Sequence, residues 1–239
     1  MSAVSNKRAS PDGAGDPPSR GDELAARLRG FGPLGILASI IILAGNALFT
    51  PLSAILVLVW ARISRTPWTE IGYVRPKSWV RTVAIGMVFG AALKLVMKAL
   101  VMPLLGAPAI NQAFHFLAGN RAAVVGILFP IILGAGFGEE TVFRGYLFER
   151  FGKLFGESPW AKTLTVVLTS AVFGVLHYPF QGLAGAQQAT MVGLIFGTIF
   201  ALKRQIFPLI IAHIAFDLAA VAIIYWDIET EVAHFIFNS

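Results

Sequence analysis

The chain has 239 residues, of which 56% are hydrophobic and only 13% are charged, and its mean hydropathy is +0.72. A soluble domain carries roughly a quarter charged residues, so this composition excludes an ordinary soluble protein and predicts one polytopic membrane domain. The formal net charge is +6, but lysine and arginine cluster at the ends of apolar segments, and no aromatic-rich basic patch indicates nucleic-acid binding. Because cysteine is absent, a disulfide framework, a thiolate nucleophile and a cysteine-based zinc site are excluded.

Polar residues dominate the start of the chain. We predict a disordered polar tail over residues 1–30. No short apolar stretch with a small-residue cleavage site follows the basic start, so we expect no signal peptide and insertion through the first helix. The first apolar segment, residues 34–60, is interrupted by Asn46 and Pro51 and predicts either one kinked span or a short helical hairpin.

A spanning helix needs roughly 20 mostly apolar residues. The expected fold class is all-α, a polytopic transmembrane helical bundle of about six to eight spans over residues 31–228, with the active site within the bundle. A short acidic tail is predicted at 229–239. Lys94 and Lys98 share one helix face and are interpreted as snorkelling to an interface or packing inward. After the first segment the predicted spans are 79–105, 121–152, 160–177, 185–202 and 207–226.

The connections at 62–81, 150–162 and 203–204 are basic and fall on one side if every span crosses once. The positive-inside rule places that side in the cytoplasm. The N-terminal tail is also basic, which conflicts with a single span at 34–60, whereas a hairpin there removes the conflict. Both alternatives stay open from the sequence alone.

Three sets of polar residues interrupt the apolar spans, and an ionisable residue inside a span is a functional-site hypothesis because hydrocarbon penalises charge. If the helices around them are antiparallel, Glu139 and His177 lie at similar depth. His213 and Asp217 lie somewhat nearer the Lys203–Arg204 side, which is compatible with one shared pocket if the first hairpin protrudes. We therefore predict a functional site, while His115 and His234 lie in a connection and a tail and are assigned no role. The sets are Glu139, Glu140 and Arg144; Phe173 and His177; and His213 and Asp217.

The spacing within each set suggests a chemistry. Glu140 and Arg144 are four residues apart and can form an ion pair, while Glu139 points about 100° away around the helix. His213 and Asp217 are also four apart, so the carboxylate could accept a proton from one imidazole nitrogen and fix the tautomer of the other. A structural clamp, an interfacial histidine and a helix–helix hydrogen bond are the corresponding non-catalytic interpretations.

In their order and spacing, the three sets resemble the motifs of the CPBP family of intramembrane proteases. That family includes the type II CAAX prenyl endopeptidases and bacteriocin-self-immunity proteins. Its pattern of Glu-Glu-x-x-x-Arg, Phe-x-x-x-His and His-x-x-x-Asn is matched except that Asp217 replaces asparagine. The resemblance covers roughly residues 84–225, and the Ile71-Gly72-Tyr73 segment is also similar to the family.

The resemblance implies a role for each site residue. Glu139 would polarise a water that His177 helps to hold, and Glu140 and Arg144 would orient the pocket. His213 and Asp217 would stabilise the oxyanion. Because an ionised carboxylate would repel an oxyanion, Asp217 must be protonated, orient His213 or bind a metal.

Two modes of water activation are open. Glu139, His177 and His213 could hold Zn²⁺, whose open coordination position would activate a water. Alternatively, Glu139 could act as a general base without a metal, which is the interpretation we favour, so no cofactor is required and zinc is possible.

The expected function is an intramembrane endopeptidase that hydrolyses a peptide bond of a membrane-associated peptide or protein. Its partners would be that substrate and the lipid bilayer, with no nucleic acid. The resemblance favours a bacterial inner (plasma) membrane protein with the active site toward the cytoplasm. The alternatives are a non-catalytic membrane protein that acts in bacteriocin immunity or partner binding, and a small proton-coupled transporter.

Overall fold

The computed structural model describes residues 19–237, and over that range the chain is helical with no β-strand. The all-α fold class is therefore confirmed. The helices are α1 (Arg20–Arg29), α2 (Pro33–Leu48), α3 (Thr50–Ile63), α4 (Trp79–Leu104), α5 (Arg121–Phe155), α6 (Pro159–Lys203), α7 (Phe207–Tyr225) and α8 (Glu229–Ala233).

Helix α6 contains 45 residues and folds back on itself at Gly182, whose φ of 64° and ψ of −164° lie outside the helical region. The two arms contact each other at small residues: Gly174 packs on Thr190, and Gly193 packs on Ser170. Small residues allow helix backbones to approach closely in a membrane. The arms 159–181 and 183–203 therefore correspond to two antiparallel predicted spans.

Four helices are long and apolar enough to cross a membrane, namely α4, α5, α6 and α7, and the bent α1–α2 pair would make five. Counting the arms of α6 separately raises either number by one. The largest of these counts, six, equals only the lower limit of the predicted six to eight spans. The shortfall arises because α3, with 14 residues, is shorter than a bilayer requires.

The segment 34–60 is a hairpin rather than one kinked span. The chain turns at Phe49, where the extended backbone separates α2 from α3. Ser53 Oγ donates to the Ile42 carbonyl at 2.5 Å, and Trp60 Nε1 donates to the Leu28 carbonyl at 3.1 Å. Helix α3 therefore returns beside α2 to the end of the bundle at which α1 lies.

Two terminal predictions need correction. Residues Arg20–Arg29 form helix α1, whose first turn is capped by reciprocal hydrogen bonds between Ser19 and Asp22. The prediction of disorder is therefore wrong for this part of the tail, and residues 1–18 lie outside the described residues. The predicted acidic tail also begins inside the folded body, because Glu229 is buried.

The basic connections lie together at one end of the bundle. Ile206 N donates to the Gly72 carbonyl at 2.9 Å, which joins the α6–α7 and α3–α4 connections. Arg150 near the end of α5 donates to the carbonyls of Arg29 and Gly30 at 2.8 Å. The N-terminal helix and the three basic connections therefore share one end, as the hairpin alternative requires.

Close packing of α4 on α7 sets the position of the site. Gly86 faces Ile211, and Gly90 lies so close to α7 that a Cβ atom there would overlap the Ala212 carbonyl. The contact brings the middle of α4 next to His213, which follows Ala212 directly. A glycine is required here because no side chain fits between the two backbones.

Candidate active site

A cavity of about 420 Å³ lies between the α2–α3 tip, α4, α5, both arms of α6, and α7. Most of its walls are apolar, including Phe49 and Phe129, whose rings stack with centroids 6.4 Å apart. Four of the six predicted site residues line this cavity: Glu139, His177, His213 and Asp217. The other two, Glu140 and Arg144, lie behind this wall.

Helix α5 presents its glutamates through wide π-helical turns over Pro130–Glu139 and Thr141–Tyr146. Such turns are rare and often occur at functional sites. Gly136 and Gly138 let neighbours approach α5 closely, with Ile214 of α7 against the first and Thr50 of the hairpin tip against the second. The turns and the glycines together bring the glutamate-bearing segment against α7.

Glu140 is the centre of a buried hydrogen-bond network. Its Oε1 accepts hydrogen bonds from Arg144 Nη1 at 2.8 Å and from His213 Nδ1 at 2.7 Å. The Arg144 guanidinium lies 5.0 Å from the ring centroid of Phe173 and 5.5 Å from that of Phe196. The predicted Glu140–Arg144 ion pair is therefore present, and it is enclosed by aromatic rings.

His213 is oriented by a different residue from the one predicted. Its Nδ1 is bonded to Glu140, whereas its Nε2 lies 3.9 Å from Asp217 Oδ2, which is too long for a hydrogen bond. The expectation that Asp217 fixes the tautomer of His213 is wrong, because the glutamate on α5 already holds the ring. Nε2 is therefore directed toward Asp217 and toward Glu139, whose Oε2 lies 3.7 Å away.

Glu139 faces the cavity, as its separation from Glu140 around the helix predicts. Its side chain is 19% exposed, and its Oε2 is buried without a hydrogen-bond partner among the described residues. A buried polar atom normally finds a partner in protein or water. A water molecule in the cavity would contact Glu139 through the exposed part of its side chain.

His177 lies on the first arm of α6, and its orientation determines its tautomer. Its Nδ1 lies 2.8 Å from the Phe173 carbonyl. Since a carbonyl oxygen only accepts, Nδ1 carries the proton, and in the neutral ring Nε2 is left as an acceptor. His177 can therefore accept a hydrogen bond from a water in the cavity.

Sequence reasoning missed the contribution of the hairpin tip and of the α3–α4 connection. Thr50 lines the cavity, and Tyr73 Oη lies 2.7 Å from Thr141 Oγ1, directly after the glutamate pair. Burial raises the pKa of Tyr73 to about 12, so its hydroxyl stays protonated. The similarity of Ile71-Gly72-Tyr73 to the family was the one signal that pointed to this connection.

The proposed zinc ligands do not form a metal site in this arrangement. Within residues 19–237, no group of three or more histidine, cysteine, aspartate or glutamate side chains is placed to hold a metal ion. The set Glu139, His177 and His213 therefore does not fit Zn²⁺ as these side chains stand.

One of three comparisons with known proteins found a match. Residues 121–219 match the family model described as type II CAAX prenyl endopeptidase Rce1-like. The match covers less than half of the chain, but it contains all six predicted site residues. Neither the curated proteins nor the solved structures gave a significant match. The segment that builds the site, residues 121–219, is therefore similar to the Rce1-like family of type II CAAX prenyl endopeptidases, which supports the resemblance to CPBP proteases.

Proposed function

We propose that the protein is an intramembrane endopeptidase that hydrolyses a peptide bond of a membrane-associated peptide or protein, with a water activated by Glu139. One observation carries the proposal: Glu139 lines an otherwise mostly apolar cavity together with His177, His213 and Asp217. The family match supports peptidase activity.

The hydrolysis begins with a water that donates one hydrogen bond to Glu139 and one to Nε2 of His177. Glu139 takes a proton as the hydroxide oxygen adds to the carbonyl carbon of the substrate. The tetrahedral intermediate collapses when Glu139 passes that proton to the leaving nitrogen and the C–N bond breaks. The products are a carboxylic acid and an amine, and Glu139 returns to its starting state.

His213 would stabilise the oxyanion. Glu140 accepts the hydrogen bond of Nδ1, so the ring presents Nε2 to the cavity, and as an imidazolium it donates Nε2–H to the developing charge. Asp217, on the next turn of α7, would act as a second donor in its protonated form. Arg144 acts through Glu140 and holds it in place.

No step of this proposal passes through a metal, because the candidate ligands do not meet as a metal-binding set. We place the protein in a bacterial inner membrane. The end that carries the basic connections would face the cytoplasm, as the positive-inside rule predicts.

The test is cleavage of an internally quenched peptide library by the protein purified in detergent. Glu139→Gln keeps the size of the side chain and removes the base, so we expect a loss of about 10²–10⁴-fold in kcat/KM. Glu157→Gln, an exposed glutamate beyond the end of α5, is the matched control and should cleave like the wild type. Full activity in Glu139→Gln would refute the assignment, and pH-linked flux in sealed vesicles without cleavage would favour a transporter.

A further inference from the structure

A second cavity of about 440 Å³ adjoins the catalytic one, at the end of the bundle away from the basic connections. Its far wall includes residues of the α4–α5 connection and Glu229 of α8. A peptide bound at Glu139 could therefore continue from one cavity into the other. The polar residues that line both cavities are Lys94, Asn111, Gln181 and Gln188.

Lys94 is the charged residue among these four, and it is buried, with 6% of its surface exposed. Its Nζ donates to Gln188 Oε1 at 3.1 Å and lies 4.9 Å from the ring centroid of Phe216. Within residues 19–237 it forms no ion pair. Lys98, one turn further along α4, is different, because its Nζ bonds the Ala109 carbonyl and pairs with Glu229.

An ammonium group has three donors, and Gln188 uses one of them. Asp217 lines the same catalytic cavity but is not in ion-pair contact with Lys94. Burying a cation without a close counter-charge is costly, and a bound anion would remove much of that cost. Lys94 lines both cavities, so an anion in either cavity would reach its ammonium group.

We propose that Lys94, held by Gln188, binds a carboxylate of the peptide substrate beyond the scissile bond. The inference rests on the proposed peptidase function, because the carboxylate belongs to a chain whose scissile carbonyl lies at Glu139. The carboxylate is either the free C-terminus of a short leaving segment or an acidic side chain. A charge-assisted hydrogen bond at a buried site would make this contact a determinant of specificity.

The test uses one internally quenched peptide from the library hits, synthesised as the free acid, as the C-terminal amide, and as the free acid with downstream Asp or Glu changed to Asn or Gln. When the recognised carboxylate is removed, kcat/KM of the wild type should fall about tenfold or more because KM rises. A loss of this size is expected for one charge-assisted hydrogen bond. The form that loses activity identifies the source of the carboxylate.

Lys94→Met should cleave the charged and neutral forms equally, and Lys94→Arg should keep the preference. Lys98→Met is the matched control and should also keep it. An undiminished preference in Lys94→Met overturns the inference, and so does an equal loss on every form, since that would show a structural role.

Binding separates this inference from the proposed function. The same peptides are titrated into Glu139→Gln with and without Lys94→Met, with affinity read by calorimetry. Tighter binding of the charged form that disappears with Lys94→Met supports carboxylate recognition even if Glu139 is not the catalytic base, whereas equal binding of all forms overturns it.

Discussion

Nδ1 of His213 on α7 lies 2.7 Å from Oε1 of Glu140 on α5, and the same oxygen accepts a hydrogen bond from Arg144. The two adjacent glutamates thereby take separate places in the structure. Glu140 is enclosed, and its Oε1 accepts both hydrogen bonds, while Glu139 lines the cavity. One carboxylate orients the site, and the other is left available for chemistry.

Removing the charge of Glu140 should destabilise the fold. Glu140→Gln leaves the buried Arg144 without its counter-charge, which costs about 3–5 kcal/mol in the free energy of unfolding. Thermal unfolding in detergent measures the loss as a lower melting temperature. The double variant Glu140→Met with Arg144→Met removes both charges and should recover much of that stability without recovering cleavage. A single variant as stable as the wild type would contradict this account.

Asp217→Asn tests the one departure from the family motif. An amide donates a hydrogen bond without needing to be protonated, so we expect kcat/KM to stay within about tenfold of the wild type or to rise. A loss on the order of 10²-fold or more in Asp217→Asn would show that the carboxylate itself is required.

Chelation tests the absence of a metal step. Because the candidate ligands do not meet as a three-membered set, we expect cleavage to survive exhaustive dialysis against a chelator. Elemental analysis of the same sample should find less than one equivalent of zinc in active protein. Loss of activity that zinc restores would overturn the metal-free mechanism.

Gly90 tests the close contact of α4 with α7. A Cβ atom at this position overlaps the Ala212 carbonyl, so Gly90→Ala forces the helices apart and should destabilise the protein by about 1–3 kcal/mol. Gly126→Ala on α5 is the matched control, because nothing lies within 4 Å of its Cβ position, and it should stabilise by about 0.5–1 kcal/mol. Equal melting temperatures for the two variants would contradict the packing.

The cysteine-free chain allows a direct test of orientation. Single cysteines at Lys77, in the α3–α4 connection, and at Gln112, in the α4–α5 connection, lie at opposite ends of the bundle. A membrane-impermeant thiol reagent applied to intact bacterial spheroplasts should label Gln112→Cys and spare Lys77→Cys. The reverse pattern would place the basic connections outside the cytoplasm.

Local features of this protein were predictable from its sequence. The predicted spans 121–152 and 207–226 agree closely with Arg121–Phe155 and Phe207–Tyr225, because an apolar segment in lipid must satisfy its backbone hydrogen bonds within its own helix. The Glu140–Arg144 pair follows in the same way from a spacing of four residues on one helix.

Contacts between distant segments were decided only by the tertiary structure. The partner of His213 is 73 residues away on another helix, whereas the nearer candidate, Asp217, shares its helix but lies beyond hydrogen-bond distance. The hairpin at 34–60 and the position of Lys94 between the two cavities likewise depend on which helices pack together. Spacing along the chain determines which side chains one helix presents on each face. The pairing of those faces is set by close packing at glycines such as Gly90 and Gly138. A sequence does not specify which neighbouring helix packs against each glycine.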